Sequence, residues 1–164
     1  MTTVTLNPAE MIHGALCGVL RQVQNLKHNR HDKYGAEEMD PWALHINGAL
    51  AELAVAKYLG LPWTGMGALG DHSLADVDDS TEARWVTNAH YSLLLHPDDN
   101  DERVYVLVTG RAPSLALRGW KLGRDGKNQK YWADPKGGRP CYFVPQTELE
   151  PMTTLSSRRR RPEQ

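Results

Sequence analysis

Apolar residues recur at helical period near the start of the chain. Between Pro8 and Lys27 they fall on one stripe of a helix, which comprises Met11, Ile12, Ala15, Leu16, Val19, Leu20, Val23 and Leu26. Asn7 suits the N-cap, Pro8 suits the first helical position, and Glu10 stands where a capping box places its carboxylate. The pattern predicts a helix over residues 8–27 that packs this stripe into the core.

A second helix is predicted from Asp40-Pro41 to Gly60 by the same capping rules. It is apolar on nearly all sides, so we expect most of its surface to be buried. Glu52 is therefore a carboxylate on a buried helix, and it needs a partner, which is either an arginine or lysine or else a metal ion or its bound water. Gly48 costs the helix about 1 kcal/mol relative to alanine, which predicts that another segment or a ligand approaches closely there.

Short apolar segments alternate with turn-like segments in the second half of the chain. The predicted strands are 73–77, 81–87, 91–96, 104–109, 115–120 and 141–144. Their short links predict an antiparallel meander. The fold class expected is α+β, with two N-terminal helices packed on a largely antiparallel or mixed sheet. We expect one domain over residues 1–152 and a disordered basic tail over residues 153–164.

Length and composition narrow the class of protein. The chain has 164 residues, of which 40% are hydrophobic, and it is long enough to bury a core. It has no apolar run of membrane-spanning length and no signal-peptide layout at its start. Its two cysteines, Cys17 and Cys141, lack metal-ligand spacing, and we expect them to stay reduced. A cytoplasmic protein without a membrane partner is the expectation.

Charge is strongly partitioned along the chain although the net charge is only −1. Residues 71–102, the acidic block, hold nine acids and one arginine, a net charge of −8. Residues 103–139, the basic block, hold nine bases and two acids, a net charge of +7. The partition suits a site that holds cations beside a surface that grips a polyanion, and it equally suits two surface faces that attract each other.

The segment Asp76-Val-Asp-Asp-Ser-Thr-Glu82-Ala-Arg84 carries the candidate chemistry. Alternation along a strand places Glu82 and Arg84 on the same face. Carboxylates that converge beside one cation are what a divalent metal needs to activate water against a phosphodiester. The alternative is an acidic turn followed by a solvated ion pair on a strand.

These pieces together resemble the PD-(D/E)xK nuclease superfamily. The likeness rests on a helical glutamate within Gly48-Ala-Leu-Ala-Glu52, then an aspartate before a hairpin, then Glu-x-Arg on the next strand. The likeness covers about residues 40–150, and over this range the chain resembles small phage proteins of that type. The resemblance implies a restriction-endonuclease-like core and a Mg²⁺- or Mn²⁺-dependent nuclease that hydrolyses DNA phosphodiester bonds in phage DNA metabolism, in the host cytoplasm.

The resemblance also assigns roles to residues. It implies that Asp76 and Glu82 bind the metal and that Glu52 reaches the metal directly or through water, with Asp78 as the competitor of Asp76. Arg84 stands where the family usually has lysine, beside the attacking water or the phosphate. Arginine cannot serve as a base, although it binds phosphate well. The substitution therefore leaves open a second function, in which the same fold binds nucleic acid or a protein partner without cutting.

Basic residues of the second block are the candidate DNA contacts. We expect the phosphate backbone to be held by Lys121, Arg124, Lys127 and Lys130. Two other enzyme classes are disfavoured by motif, because the chain has no His-x-x-x-His pair for a zinc hydrolase and no recognisable serine or cysteine nucleophile motif. The oligomeric state is left open by the sequence, a homodimer included.

Overall fold

A computed structural model gives the structure of the chain and describes residues 1–28, 40–65, 75–135 and 137–159. Its helices are α1 (Pro8–Lys27), α2 (Pro41–Leu59), α3 (Gly123–Gly126) and α4 (Met152–Arg159). Its strands are β1 (Thr2–Thr5), β2 (Thr81–Val86), β3 (Leu93–Leu95), β4 (Val104–Arg111), β5 (Ser114–Leu122), β6 (Trp132–Ala133) and β7 (Cys141–Val144). The architecture is α+β, as the sequence predicts.

The two long helices begin and end where their caps predict. Asn7 accepts a hydrogen bond from the Glu10 backbone N–H at 2.9 Å, and the Glu10 carboxylate accepts one from the Asn7 N–H at 2.7 Å, so the capping box is complete. Asp40 caps α2 through the Trp42 N–H, and Gly60 ends it with a φ of 68°. Only glycine adopts that left-handed conformation at little cost.

The helix α1 packs through its small residues, and the prediction that its apolar stripe enters the core is wrong. The residues of α1 that are buried are Gly14, Cys17, Gly18 and Gln22. A Cβ at Gly18 would overlap the backbone of Ile46, and a Cβ at Gly14 would lie 2.7 Å from Leu50 Cδ2. The glycines let α1 approach α2 closely, and that contact turns most of the predicted stripe toward solvent.

Of the two alternatives predicted for Gly48, the close approach of another segment is wrong among the described residues, and the approach of a ligand stays a prediction. A Cβ built there meets nothing within 4 Å. The glycines that accommodate a neighbouring helix are on α1, while Gly48 leaves the middle of α2 without a side chain at a half-buried position.

The main sheet is mixed rather than a simple meander. Its strand order is β1-β5-β4-β2, with β4 and β5 antiparallel and β2 and β4 parallel. Parallel neighbours need a long crossover, and residues 87–103 supply it. That crossover carries β3 into a second, three-stranded sheet of order β3-β7-β6. The predicted strand at 73–77 is wrong for Ala75 to Val77, which form no strand, and residues 73 and 74 lie outside the described part.

The strand β4 separates two hydrophobic cores. Val104, Val106 and Val108 face the helices, whereas Tyr105 and Leu107 face the small sheet, where Leu93, Leu95 and Val144 cover them. The strand is therefore buried on both faces, which explains its continuous apolar sequence. The edge strand β2 lies beside β4 and shares both environments, so one of its faces meets α2 and the other meets the second core.

The C-terminal segment is ordered further than predicted. The expected disordered tail from Thr153 is wrong up to Arg159, because Met152 and Leu155 of α4 are buried in the main core. Trp120 anchors the segment, since its indole N–H lies 3.1 Å from the Pro151 carbonyl oxygen and 3.0 Å from Thr154 Oγ1. Residues 160–164 lie outside the described part. Among the helices that the structure describes, none has the length and apolar character to span a membrane.

Candidate active site

The candidate site is built where the segment before β2 folds back on that strand. Asp78 accepts a hydrogen bond from the Ser80 N–H at 2.9 Å, and the Val77 N–H donates to the Thr81 carbonyl at 3.0 Å, so the segment makes a tight turn. The turn returns Asp76 to the strand, where its Oδ2 accepts a hydrogen bond from the Ala83 N–H at 3.3 Å. Asp76 therefore lies beside β2, while Asp78 caps the turn that places it there.

Asp76 and Glu82 lie close enough for the charge of Asp76 to act on the carboxyl group of Glu82. Burial raises the pKa of Glu82 to about 8, and the neighbouring Asp76 carboxylate adds to this rise. Arg103 donates to Glu82 Oε1 at 2.6 Å and Arg84 lies 3.9 Å from Oε2, and both cations oppose the rise. The two carboxyl groups repel each other when both are ionised, which is the electrostatic condition that a bound cation relieves.

Glu52 reaches the same cluster from α2, and its partner is an arginine. Arg21 of α1 grips it with two hydrogen bonds, of 2.5 Å from Nη1 to Oε1 and of 2.6 Å from Nη2 to Oε2. Burial raises the pKa of Glu52 to about 7 and the charge of Asp76 adds to the rise, while Arg21 lowers it. The sequence leaves open whether the partner of Glu52 is a basic side chain or a metal ion, and the structure shows a basic side chain. It comes from α1, whose sequence pattern indicates only core packing.

Arg84 shares the face of β2 that carries Glu82, as strand alternation predicts. Its Nη2 donates to Asp99 Oδ1 at 2.8 Å, and its guanidinium carbon lies 5.1 Å from the centroid of the Tyr105 ring. Burial lowers the pKa of Arg84, but the charges of Asp99, Asp76 and Glu82 outweigh burial and leave it raised. Its Nε is buried without a hydrogen-bond partner, so this guanidinium has one donor to spare.

Two of the arginines in the cluster were missed by sequence reasoning. Arg103 begins the basic block and stands directly before β4, and because β2 and β4 are parallel and in register it comes level with the start of β2. Arg21 lies three residues after Gly18, on the glycine-bearing face of α1 that packs against α2. A cation in line with the two closely spaced glycines was the available signal that this face is the buried one.

The four predicted DNA contacts are all engaged in ion pairs. Lys121 lies 3.7 Å from Glu150, Arg124 lies 3.0 Å from Glu102, Lys127 lies 2.8 Å from Asp101, and Lys130 lies 3.2 Å from Glu148. The side chains of Lys121 and Lys127 are only 15% exposed, and they also donate to backbone carbonyls. Arg124 and Lys130, at 55% and 56%, keep enough exposure to contact a phosphate.

The acidic and basic blocks pair with each other in the fold. Among the described residues, ion pairs that cross between the blocks include Glu82 with Arg103, Glu102 with Arg124, and Asp101 with Lys127. Of the two interpretations of the charge partition, mutual attraction accounts for these contacts. Part of the basic surface that the sequence offers to a polyanion is thus neutralised by the protein itself.

The donor chemistry of the cluster suits a hard divalent cation, since Mg²⁺ and Mn²⁺ prefer carboxylate oxygens. Asp76 and Glu82 are the pair best placed to hold it, because both oxygens of Glu52 accept hydrogen bonds from Arg21. Within residues 1–28, 40–65, 75–135 and 137–159, no group of three His, Cys, Asp or Glu side chains is arranged to hold a metal ion. Asp76 and Glu82 could therefore bind a cation directly, whereas Glu52 could attract it only through its negative charge.

Comparison with known proteins adds no assignment. No family model matches the chain, and neither the curated proteins nor the solved structures include a significant match.

Proposed function

We propose that this protein is a Mg²⁺- or Mn²⁺-dependent nuclease that hydrolyses DNA phosphodiester bonds on a restriction-endonuclease-like core. The observation that carries the proposal is the convergence of Glu52, Asp76 and Glu82 from a helix, a turn and a strand, with Arg84 on the same strand face as Glu82. Acidic side chains seldom gather at positions as buried as these, because the burial of like charges is costly without a cation.

The roles of the residues follow from their contacts. Asp76 and Glu82 would hold the metal ion, which when bound supplies a water of lowered pKa and offsets charge on the leaving oxygen. Arg21 fixes the buried Glu52 near Asp76 through two hydrogen bonds, and its charge opposes the rise in the pKa of that carboxyl group. Arg84, oriented by Asp99, would direct its guanidinium at the phosphate, where it stabilises negative charge and cannot remove a proton.

Cleavage of labelled single- and double-stranded DNA with Mg²⁺ or Mn²⁺ tests this function. Asp76→Asn and Glu82→Gln remove a charge and keep the shape, so each is expected to lower the rate by about 100-fold or more. Asp78→Asn is the matched control, because the same change in the same turn affects a side chain that caps Ser80. Cutting that survives both Asp76→Asn and Glu82→Gln would contradict the proposed site.

A second candidate function is DNA binding without cleavage, which the arginines favour. Arg21 and Arg103 already form ion pairs with Glu52 and Glu82. Arg84 also stands where the PD-(D/E)xK nucleases, which this chain resembles, usually have lysine. A folded wild type that binds DNA and never cuts would support this function. Arg84→Lys then serves as the deciding variant, since a gain of metal-dependent cutting would show that only the base is missing.

The exposed bases give a separate test of the DNA partner. Replacement of both Arg124 and Lys130 by alanine is expected to weaken DNA binding about 10-fold or more and to lower its salt dependence. The matching change at Lys121 and Lys127 is expected to destabilise the fold instead, because these side chains are anchored to backbone carbonyls. Equal DNA affinity of wild type and the Arg124/Lys130 variant would remove these two residues from the interface.

A further inference from the structure

The outward face of α1 is an apolar surface that none of the other described residues covers. Its exposed large side chains are Ile12 (62%), Leu16 (57%), Leu20 (46%), Val23 (44%) and Leu26 (60%). The half-buried Val19 lies among them. Other exposed large apolar side chains of the described residues, such as Tyr91 and Trp132, lie outside α1. We refer to this set on α1, residues 12, 16, 19, 20, 23 and 26, as the outer face.

The spacing of the outer face is that of a helix-pairing seam. Ile12, Leu16, Val19, Val23 and Leu26 are separated by four, three, four and three residues, which is an unbroken alternation of a and d positions of a heptad. Leu20 widens the seam on one side. This period keeps a stripe facing a second helix along the whole contact, and packing against a flat sheet or loop does not require it.

The seam cannot be buried by a rotation of α1 within the monomer. Its opposite face is fixed to α2 by the close contacts of Gly14 and Gly18 and by the buried pair of Arg21 with Glu52. Rotation would break that ion pair and force side chains into the backbone of Ile46. The occupant of the outer face must therefore come from outside the α1–α2 pair.

The charges of α1 decide what kind of occupant fits. The helix carries three charged residues, of which Glu10 is paired with Lys57 and Arg21 with Glu52, and Lys27 is its last residue. The seam itself is neutral over its length, so DNA finds no cations on it to hold its phosphates. Two copies of the seam can meet without repulsion, and a stripe of the same residues on both partners gives the closed two-fold contact of most homodimers.

We infer that this protein forms a homodimer through the outer faces of two α1 helices. The exposed fractions correspond to about 450 Å² of apolar surface per copy, a size typical of functional patches. Two copies would remove about 900 Å² from water, which is less than a standard stable interface covers. The dimer is therefore expected to dissociate in the micromolar range, at about 1–100 µM. The inference does not depend on nuclease activity.

Sedimentation velocity of the full chain over a range of concentrations tests the dimer. The wild type is expected to move from a mass of 18.4 kDa at low concentration toward twice that mass at high concentration. The double variant Leu16→Glu with Val23→Glu places two charges on the seam and is expected to raise the dissociation constant about 100-fold or more. Tyr91→Glu is the matched control, because Tyr91 is 53% exposed on the connection between β2 and β3 and its replacement leaves the seam intact.

Two outcomes would overturn the inference: a wild type that stays monomeric at every concentration, or a double variant that associates as the wild type does. Thermal unfolding checks that the double variant folds, which is expected because both side chains are exposed. Should it unfold, Leu26→Glu near the end of the helix replaces it, and an unchanged dissociation constant for that variant would equally overturn the inference.

Discussion

Glu82→Gln separates the electrostatics of the site from its packing. Glutamine has nearly the size of glutamate and stays neutral at every pH. Its amide oxygen can accept the hydrogen bond from Arg103, as a protonated Glu82 does. The variant therefore imitates one protonation state of the site, and its stability relative to wild type should depend on pH.

The sign and size of the effect follow from the pKa of Glu82. An unfolded glutamate releases its proton near pH 4.5, whereas burial and Asp76 raise the pKa of folded Glu82 to about 8. Between these values the folded state binds the proton more tightly, so the free energy of unfolding of wild type falls as pH rises. The slope approaches about 1.4 kcal/mol per pH unit, which for a chain of this size lowers the melting temperature by about 4 °C per unit.

The assay is thermal unfolding by circular dichroism from pH 5 to pH 8.5 with a chelator present. Wild type and Glu82→Gln are expected to agree near pH 5 and to diverge by about 4 kcal/mol by pH 8, with the variant more stable. Glu52, whose pKa is raised to about 7, lowers the stability of both proteins alike over the lower part of this range.

Glu102→Gln is the control for that experiment. It makes the same substitution at a carboxylate whose side chain is 71% exposed and which pairs with Arg124 at the surface. Solvent screens such pairs, so its melting curve should follow that of wild type at every pH. Parallel pH profiles for wild type and Glu82→Gln would refute the reasoning, because they would mean that burial and the neighbouring Asp76 do not raise the pKa of Glu82 in the folded state.

Two further predictions concern the helices. At pH 8, Arg21→Met is expected to lower the free energy of unfolding by about 3–5 kcal/mol, since it leaves the buried Glu52 carboxylate without its partner. The double variant Arg21→Met with Glu52→Gln should recover most of this loss. Equal urea midpoints of the single and double variants would contradict the prediction. Gly48→Ala should raise the free energy of unfolding by about 1 kcal/mol because there is open space for the added Cβ. Gly18→Ala should lower it by about 1–3 kcal/mol because the added Cβ overlaps the backbone of Ile46. Melting temperatures that move in the same direction would show that the two glycines do not differ in this way.

Local signals predicted the helices well and the sheet less well. Caps at Asn7, Asp40 and Gly60 act within a few residues of the helix ends, so the sequence alone places α1 and α2. The strand β1 was missed because Thr2–Thr5 is short and mostly polar. The parallel pairing of β2 with β4 was missed because short links between successive segments predict antiparallel neighbours. The strand β3, which lies between β2 and β4 in the chain, instead joins the second sheet and leaves β2 beside β4.

The acidic residues of the candidate site were identifiable by residue type, but their partners were not. Glu52 stands out as a carboxylate on a nearly all-apolar helix, and Asp76 and Glu82 stand out by their spacing before Arg84. Arg21 and Arg103 are ordinary surface residues in the sequence, and they enter the site only through the packing of α1 on α2 and of β4 beside β2. An apolar stripe likewise does not reveal whether it faces the protein's own core or a second molecule.

The pairing of the acidic block with the basic block also governs how the protein interacts at a distance. Ion pairs such as Arg103 with Glu82 and Arg124 with Glu102 act as short dipoles, whose fields cancel within about one Debye length of the surface. The surface that carries these pairs consequently attracts few mobile ions, and it adds little long-range steering to encounters with a polyanion. Association with nucleic acid would then depend on contacts made after collision, with a slow on-rate that ionic strength changes little.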